Sequence, residues 1–271
     1  MSYHPLPWTL DSLDLNNIQI ARIRHHEDLF FLLCSSSFVE SAADLHTQNL
    51  VDHFAGNPEL QSWLTQHWEH EEVQHARALT AYVRKVWPEF DWDAGFKAFR
   101  SDYSAVCTAA QLEPNRGLEL AARCVVETST ANLYRALHDL TDEPVLQQLT
   151  NHIKGDEVRH YKHFYQHFRV YRERERFGRY KVFRAILRRV NELRRADNDI
   201  ALRHVFKQCY PQFIGDEKQF RRVSDRAQIL LRRHLPTDMT LKMLLKPLDL
   251  PARLLSALQK PLTRLTGRLL Y

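Results

Sequence analysis

With 271 residues, 44% of them hydrophobic, and a net charge of +5, the chain is long enough to bury a sizeable core and has the composition of an ordinary globular protein. Because it contains only 7 Gly and its apolar residues recur at helical spacing, the sequence predicts an all-α fold. Four widely spaced Cys exclude a zinc ribbon, a rubredoxin-like iron centre and a disulfide framework, and without a leader or an apolar stretch of about 20 residues we expect a cytoplasmic protein, with peripheral attachment to a membrane as an open alternative.

Glycine and proline divide the chain into helical segments. After a lead over residues 1–27, the predicted bundle of residues 28–177 holds helices over about 28–54, 58–86, 93–111, 115–140 and 144–176. The extension 178–235 is predicted to contain a basic helix, a shorter helix ending near Pro211, and irregular turns. The amphipathic tail 236–271, rich in Leu, Lys and Arg, is broken by Pro247, Pro251 and Pro261.

Basic residues concentrate in the second half of the chain. Arginine is dense from Arg169 to Arg195, and the segment from Met239 to Leu270 interleaves Leu with Lys and Arg. We expect this half to face an acidic partner, namely acyl carrier protein, an anionic membrane surface or nucleic acid. A solvated helical face without a partner is the alternative.

A Glu-x-x-His motif occurs twice, at Glu72–His75 and at Glu157–His160. The spacing puts a carboxylate and an imidazole one turn apart on a helix, where both can reach one metal ion. A lone glutamate precedes each motif by about one helical hairpin, as in di-iron and di-manganese proteins of the ferritin-like type. The six predicted metal ligands are Glu40, Glu72, His75, Glu127, Glu157 and His160.

The helical neighbours of the two lone glutamates are apolar or small, so a buried carboxylate there requires a cation or a proton. Four carboxylates and two imidazoles suit iron, with manganese as the alternative, better than a structural zinc ion. We expect Glu72 and Glu157 to bridge two iron ions. Glu40 and His75 would then complete the coordination of one ion, and Glu127 and His160 that of the other.

Three segments resemble the soluble acyl-carrier-protein desaturases. Trp68–His75 matches their Trp-x-x-Glu-Glu-x-x-His pattern, Asp156–His160 matches Asp-Glu-x-Arg-His, and Glu127–Thr130 is similar to Glu-x-x-Thr. The resemblance extends from about Asp28 to Phe168. It implies a ferritin-like four-helix bundle, with the C-terminal helices as additions, and a reduced di-iron centre that activates dioxygen to attack an unactivated C–H bond.

The same resemblance assigns roles to residues beside the ligands. Glu71 and Asp156 occupy the positions of carboxylates that are hydrogen-bonded to the opposite histidine. Thr130 could place a catalytic hydroxyl near dioxygen, and a helix-packing threonine bonded to its own backbone is the alternative. His163 and His167 follow His160 at helical spacing, and we interpret them as residues on the outer face of the bundle or on the surface.

The predicted function is that of a di-iron oxidase or oxygenase that desaturates or hydroxylates an apolar acyl-chain substrate. An external ferredoxin-like protein or reductase would supply electrons, and a homodimer is the candidate assembly. Two alternatives stay open at this point. One is an iron-handling protein of the ferritin or peroxide-reductase type, and the other is a di-iron oxygenase that modifies tRNA, an amine or an aldehyde.

Overall fold

The computed structural model describes residues 6–193, 197–251 and 253–254, and all regular secondary structure in these ranges is helical, as predicted. Short 3-10 turns and a π-helical turn, Leu64–Trp68, join the α-helices. The α-helices are α1 Ile20–Ile23, α2 Glu27–Glu40, α3 Ala43–His53, α4 Pro58–Trp63, α5 Glu69–Val86, α6 Trp92–Val106, α7 Arg116–Asp139, α8 Pro144–Glu175, α9 Arg179–Leu193, α10 Asp197–Cys209, α11 Glu217–Arg233 and α12 Thr237–Leu245.

Side-chain caps fix the starts of the helices that carry the motifs. Asn57, which precedes Pro58, accepts a hydrogen bond from the backbone N–H of Leu60 through its side chain. Asn115 caps α7 in the same way by accepting from the backbone N–H of Leu118. Glu143 caps α8 by accepting two backbone amides, and it also accepts a hydrogen bond from the buried hydroxyl of Tyr82. Boundaries predicted from proline and glycine therefore agree with the structure to within a few residues.

Two sequence predictions about the helices were wrong. The single helix expected over 28–54 is broken after Glu40, where serines bond back to the backbone: Ser35 to the Phe31 carbonyl and Ser37 to the Cys34 carbonyl. The irregular turns expected after Pro211 are replaced by the long helix α11.

Helices α2, α5, α7 and α8 form a four-helix bundle. The strongest packing is between α7 and α8, α2 packs on α5, and α5 closes the bundle against α8. Fully buried aromatic side chains, among them Phe38, Tyr82 and Phe164, fill the interior on both sides of the glutamates. The predicted all-α bundle with additional C-terminal helices is confirmed.

The C-terminal helices pack onto this bundle. Helix α10 lies against α2 and α6, α11 lies against α2, and both α9 and α12 lie against α7. Leu241 and Leu248 are buried, and Tyr161 donates a hydrogen bond to the Met243 carbonyl. The start of the segment Met239–Leu270, which we predicted to be a docking face, therefore packs on the bundle through buried leucines, while Met239, Lys242 and Lys246 are exposed. Residues 252 and 255–271 lie outside the described residues.

A search of the described helices for one long and apolar enough to cross a bilayer finds none.

Candidate metal centre

The six predicted ligands come from four helices and converge inside the bundle. One lone glutamate is the last residue of α2, and the other lies in the middle of α7. Each Glu-x-x-His motif occupies one turn, in α5 directly after the π-helical turn and in α8. The six side chains, all buried, are Glu40, Glu72, His75, Glu127, Glu157 and His160.

These ligands form two overlapping sets. Within each set, one ligand atom from every residue lies within 4.8 Å of the others. The two sets share Glu72 and Glu157, so the partition is the one predicted from the sequence. The first set is Glu40, Glu72, His75 and Glu157, and the second is Glu72, Glu127, Glu157 and His160.

Each shared glutamate turns one oxygen toward each histidine. Oε2 of Glu72 lies 4.0 Å from Nδ1 of His75, and its Oε1 lies 3.3 Å from Nδ1 of His160. The corresponding distances for Oε1 and Oε2 of Glu157 are 3.4 and 3.7 Å. The unshared glutamates face one histidine each: Glu40 Oε2 is 3.7 Å from His75 Nδ1, and Glu127 Oε2 is 3.5 Å from His160 Nδ1.

Three of these inward-facing atoms have no hydrogen-bond partner, although all are buried: Nδ1 of His75, Nδ1 of His160 and Oε1 of Glu157. Most of the nitrogen–oxygen distances are too long for hydrogen bonds but match ligands that share an ion at bond lengths of about 2.1 Å. Unpaired buried polar atoms are destabilising, so this arrangement requires cations. The residues therefore fit two metal ions, and their hard oxygen-rich chemistry suits iron or manganese.

Two carboxylates outside the sets orient the imidazoles. Asp156 Oδ2 lies 2.9 Å from Nε2 of His75, and Glu71 Oε2 lies 2.7 Å from Nε2 of His160. Each imidazole thus donates its Nε2 proton outward and turns Nδ1 toward the centre. Arg159 pairs with both carboxylates and balances their charge. The positions that the resemblance assigned to Glu71 and Asp156 hold these contacts.

Trp8 belongs to the surroundings of the centre, although no sequence motif pointed to it. Its indole Nε1 donates to Asp156 Oδ2 at 2.8 Å, and its ring stacks on His75 with 6.1 Å between centroids. The residue lies 148 positions from Asp156 in a lead whose described part, from residue 6 onward, contains only 3-10 turns and the short helix α1. Tertiary folding alone brings it there.

Burial and neighbouring groups shift the pKa values of four of the candidate ligands. Burial raises the pKa of Glu72 well above its usual range, and the charge of Glu157 adds to that rise. Burial also raises the pKa of Glu157. For His75 and His160, hydrogen bonds to the surrounding carboxylates outweigh burial and raise the pKa well above the usual value.

Arg123 is a buried cation at the centre that the sequence analysis did not single out. One turn before Glu127 on α7, it donates to the Oε1 of that glutamate at 2.7 Å and is 6% exposed. Although burial raises it, the charge of Arg123 brings the pKa of Glu127 down to about 2. The guanidinium lies over the rings of Trp68 and Phe164, and its Nε has no hydrogen-bond partner.

Two hydroxyls near the centre have different partners. Tyr134 donates to Glu40 Oε1 at 2.5 Å. Thr130 donates to the Val126 carbonyl, which is the helix-packing alternative, but it also lines the cavity beside the centre. A catalytic role of Thr130 stays a prediction.

A cavity of about 110 Å³ opens on the side of Glu40 and Glu127. A second cavity of about 100 Å³ shares His46, Tyr103, Arg123, Val126 and Leu193 with it and extends toward the α6–α7 connection. Burial lowers the pKa of His46 to about 4, so this imidazole is neutral at physiological pH. The first cavity is lined by Ser36, Val39, Glu40, Ala43, His46, Trp68, Glu72, Tyr103, Arg123, Val126, Glu127, Ser129, Thr130, Leu133, Tyr134, Glu157 and Leu193.

Comparisons with known proteins give little beyond this geometry. No protein-family model matches the chain, and no curated protein sequence matches it. A solved structure with which it aligns is a mutant of an R2-like ligand-binding oxidase with an aerobically reconstituted Mn/Fe cofactor, at 15% identity and a TM-score of 0.47. The alignment covers 98% of this chain and 89% of that chain. The interpretation of the centre therefore rests on its own residues.

Proposed function

We propose that the protein is a di-iron oxidase or oxygenase that oxidises a small organic substrate in the cavity beside the two ligand sets. The observation that carries this proposal is the pair of buried sets that share Glu72 and Glu157, with three polar atoms left unpaired toward the centre. Two iron ions held there would supply the one-electron redox steps by which dioxygen is reduced. Manganese in one position is compatible with the same ligands.

The chain itself contributes orientation, charge and the exclusion of water. Asp156 and Glu71 hold the Nε2 protons and thereby direct both Nδ1 atoms inward. Arg123 fixes Glu127, and the Tyr134 hydroxyl fixes Glu40. Because all these groups except the partly exposed Glu71 are buried, their electrostatic interactions are stronger than they would be in water.

The size of the cavity bears on the substrate. A volume of about 110 Å³ accommodates only a few heavy atoms, and the adjoining cavity about as many again. We infer that a short apolar segment lies beside the ligands and that an acceptor group faces Arg123, whose Nε has no partner. A long acyl chain would enter only if side chains such as Leu193 moved aside.

Either product chemistry requires reducing equivalents from outside the protein. Hydroxylation converts C–H and O2, with two electrons and two protons, into C–OH and one water. Desaturation removes two hydrogen atoms from adjacent carbons and, with O2, two electrons and two protons, yields two waters. The proposal therefore includes an external donor of two electrons, either a ferredoxin-like protein or a reductase.

The test is single-turnover oxidation. The iron-loaded, chemically reduced protein is mixed with dioxygen and a panel of short and long apolar acids, amines and aldehydes, and products are identified by mass spectrometry. The Ala43→Phe variant, whose ring fills the cavity, should lose turnover while it keeps its iron, and Ala105→Phe on the exposed face of α6 should behave as the wild type. Ferroxidase activity with a mineral product and no organic turnover would contradict the proposal.

A further inference from the structure

A pair of histidines lies outside the metal centre, on the same helix as His160. His163 and His167 are one turn apart on α8, both half-buried, and their Nε2 atoms lie 3.1 Å from each other. The sequence analysis placed them on the outer or surface face. Neither belongs to the two ligand sets of the centre.

We propose that His163 and His167 form a separate bidentate site for a divalent transition-metal ion, whose remaining positions are filled by water. Two histidines at positions i and i+4 on one helix face are a recurrent metal-chelating arrangement. Imidazole nitrogen is a preferred ligand of Ni²⁺, Cu²⁺, Zn²⁺ and Fe²⁺. The proposal does not depend on the proposed function of the main centre.

The orientation of the two rings supports chelation over a simple hydrogen bond. Their centroids are 4.7 Å apart, with 49° between the ring planes. An aligned N–H···N bond of the observed length would separate the centroids by about 5.4 Å, so the rings are bent toward each other. Rings that point both Nε2 atoms at one ion reproduce the two observed distances if that ion lies about 2.2 Å from each nitrogen, within the range of metal–imidazole bonds.

The surroundings hold the pair in this geometry. Trp63 stacks on the ring of His163, with 3.8 Å between centroids and 14° between planes. The indole also contacts Phe164 edge-on, so a packed aromatic group fixes one of the two ligands in advance. Preorganisation of this kind lowers the entropic cost of binding an ion.

The protonation states of the pair suit a metal ion. Burial and, to a smaller extent, the neighbouring His167 lower the pKa of His163 to about 4. Burial lowers the pKa of His167 as well, against the opposing charge of Glu59. Both imidazoles are therefore neutral at physiological pH and offer lone pairs without competition from protons.

The test is calorimetric titration of the iron-loaded full-length protein with NiCl2, with the iron content measured before and after. The wild type should bind one equivalent of Ni²⁺ without losing iron. His163→Ala and His167→Gln should each weaken this binding by at least about tenfold, because a single imidazole remains. His138→Ala, a partly exposed histidine on α7 that pairs with Asp139, is the matched control and should bind as the wild type.

Two variants keep the test decisive. His163→Ala removes the ring against which Trp63 packs, whereas His167→Gln leaves that stack in place. Loss of Ni²⁺ binding in both variants, with the iron content unchanged, supports the site. Absence of Ni²⁺ binding in the wild type, or unchanged binding in His167→Gln, would overturn it, and neither result would affect the proposal for the main centre.

Discussion

Asp156→Asn should weaken metal binding more than any other change outside the six ligands. Asp156 Oδ2 accepts from His75 Nε2 and from the Trp8 indole, while Oδ1 accepts from Arg159. All three partners are donors. An asparagine has only one acceptor oxygen, so its amide group must face either the arginine or the histidine and indole.

The burial of the two carboxylates indicates which variant should lose more metal affinity. Loss of a partner that orients a metal-bound histidine typically costs 10- to 100-fold in affinity, or about 1.4 to 2.8 kcal/mol. Asp156 is 1% exposed, and we expect a loss near about 100-fold. Glu71 plays the corresponding part for His160 but is 14% exposed, so Glu71→Gln should cost only about tenfold.

The assay is competition for Fe²⁺ between the protein and a chromophoric chelator under anaerobic conditions, with circular dichroism to verify folding. A double variant should deviate from the sum of the two free-energy changes, because Arg159 pairs with both carboxylates. Wild-type affinity in Asp156→Asn, or a larger loss in Glu71→Gln, would refute the reasoning from burial and donor count.

Three further predictions follow from the charges and the fold. The variant Arg123→Gln removes a buried cation and should lower the free energy of unfolding of the metal-free protein by about 3 to 5 kcal/mol, measured in urea. The control Arg100→Gln, at the exposed pair with Asp44, should change this free energy by less than about 1 kcal/mol. Equal effects of the two variants would contradict this prediction. Truncation after Leu254 should leave the iron content unchanged and weaken binding to anionic vesicles at low salt, and unaltered vesicle binding would reject a docking role for the tail. Metal ions displace protons from ligands whose pKa is raised, so metal affinity should increase as pH rises, and calorimetry in buffers of different ionisation enthalpy should detect proton release; no release would contradict the raised pKa values of Glu72, His75 and His160.

The sequence predicted the grouping of the candidate ligands because that information is local. A carboxylate and an imidazole three residues apart on a helix share one face whatever the rest of the chain does. Repetition of the motif, with one glutamate a hairpin before each copy, then limits the bundle to arrangements in which all four helices point the same groups inward. The structure brings these six side chains together in the predicted partition.

Contacts made over long sequence distances could not be predicted in this way. Trp8 reaches Asp156 across 148 residues, and no spacing rule connects them. Arg123 is different, because its position one turn before Glu127 was visible and a search for cations at that spacing would have found it. The pair of His163 and His167 was also visible, but the spacing alone did not show that their Nε2 atoms lie 3.1 Å apart.

The errors in the fold have local physical causes. Helix α2 ends at Glu40 and α3 begins at Ala43, and hydrophobic periodicity does not show the short turn between them. Helix α11 carried readable signals, because Asp216 caps its first turn and Phe220, Val223 and Ala227 recur at helical spacing on its buried face. The basic charge of this helix masked its apolar stripe.

The most direct test of the two-metal centre is an anomalous difference map at the iron absorption edge, measured on crystals of protein loaded with Fe²⁺. We predict two peaks about 3.5 to 4 Å apart, one within each ligand set and with Glu72 and Glu157 between them. Well-diffracting crystals of folded protein with no anomalous peak inside the bundle, or with a single peak that leaves one histidine without a metal ion, would contradict the two-metal centre.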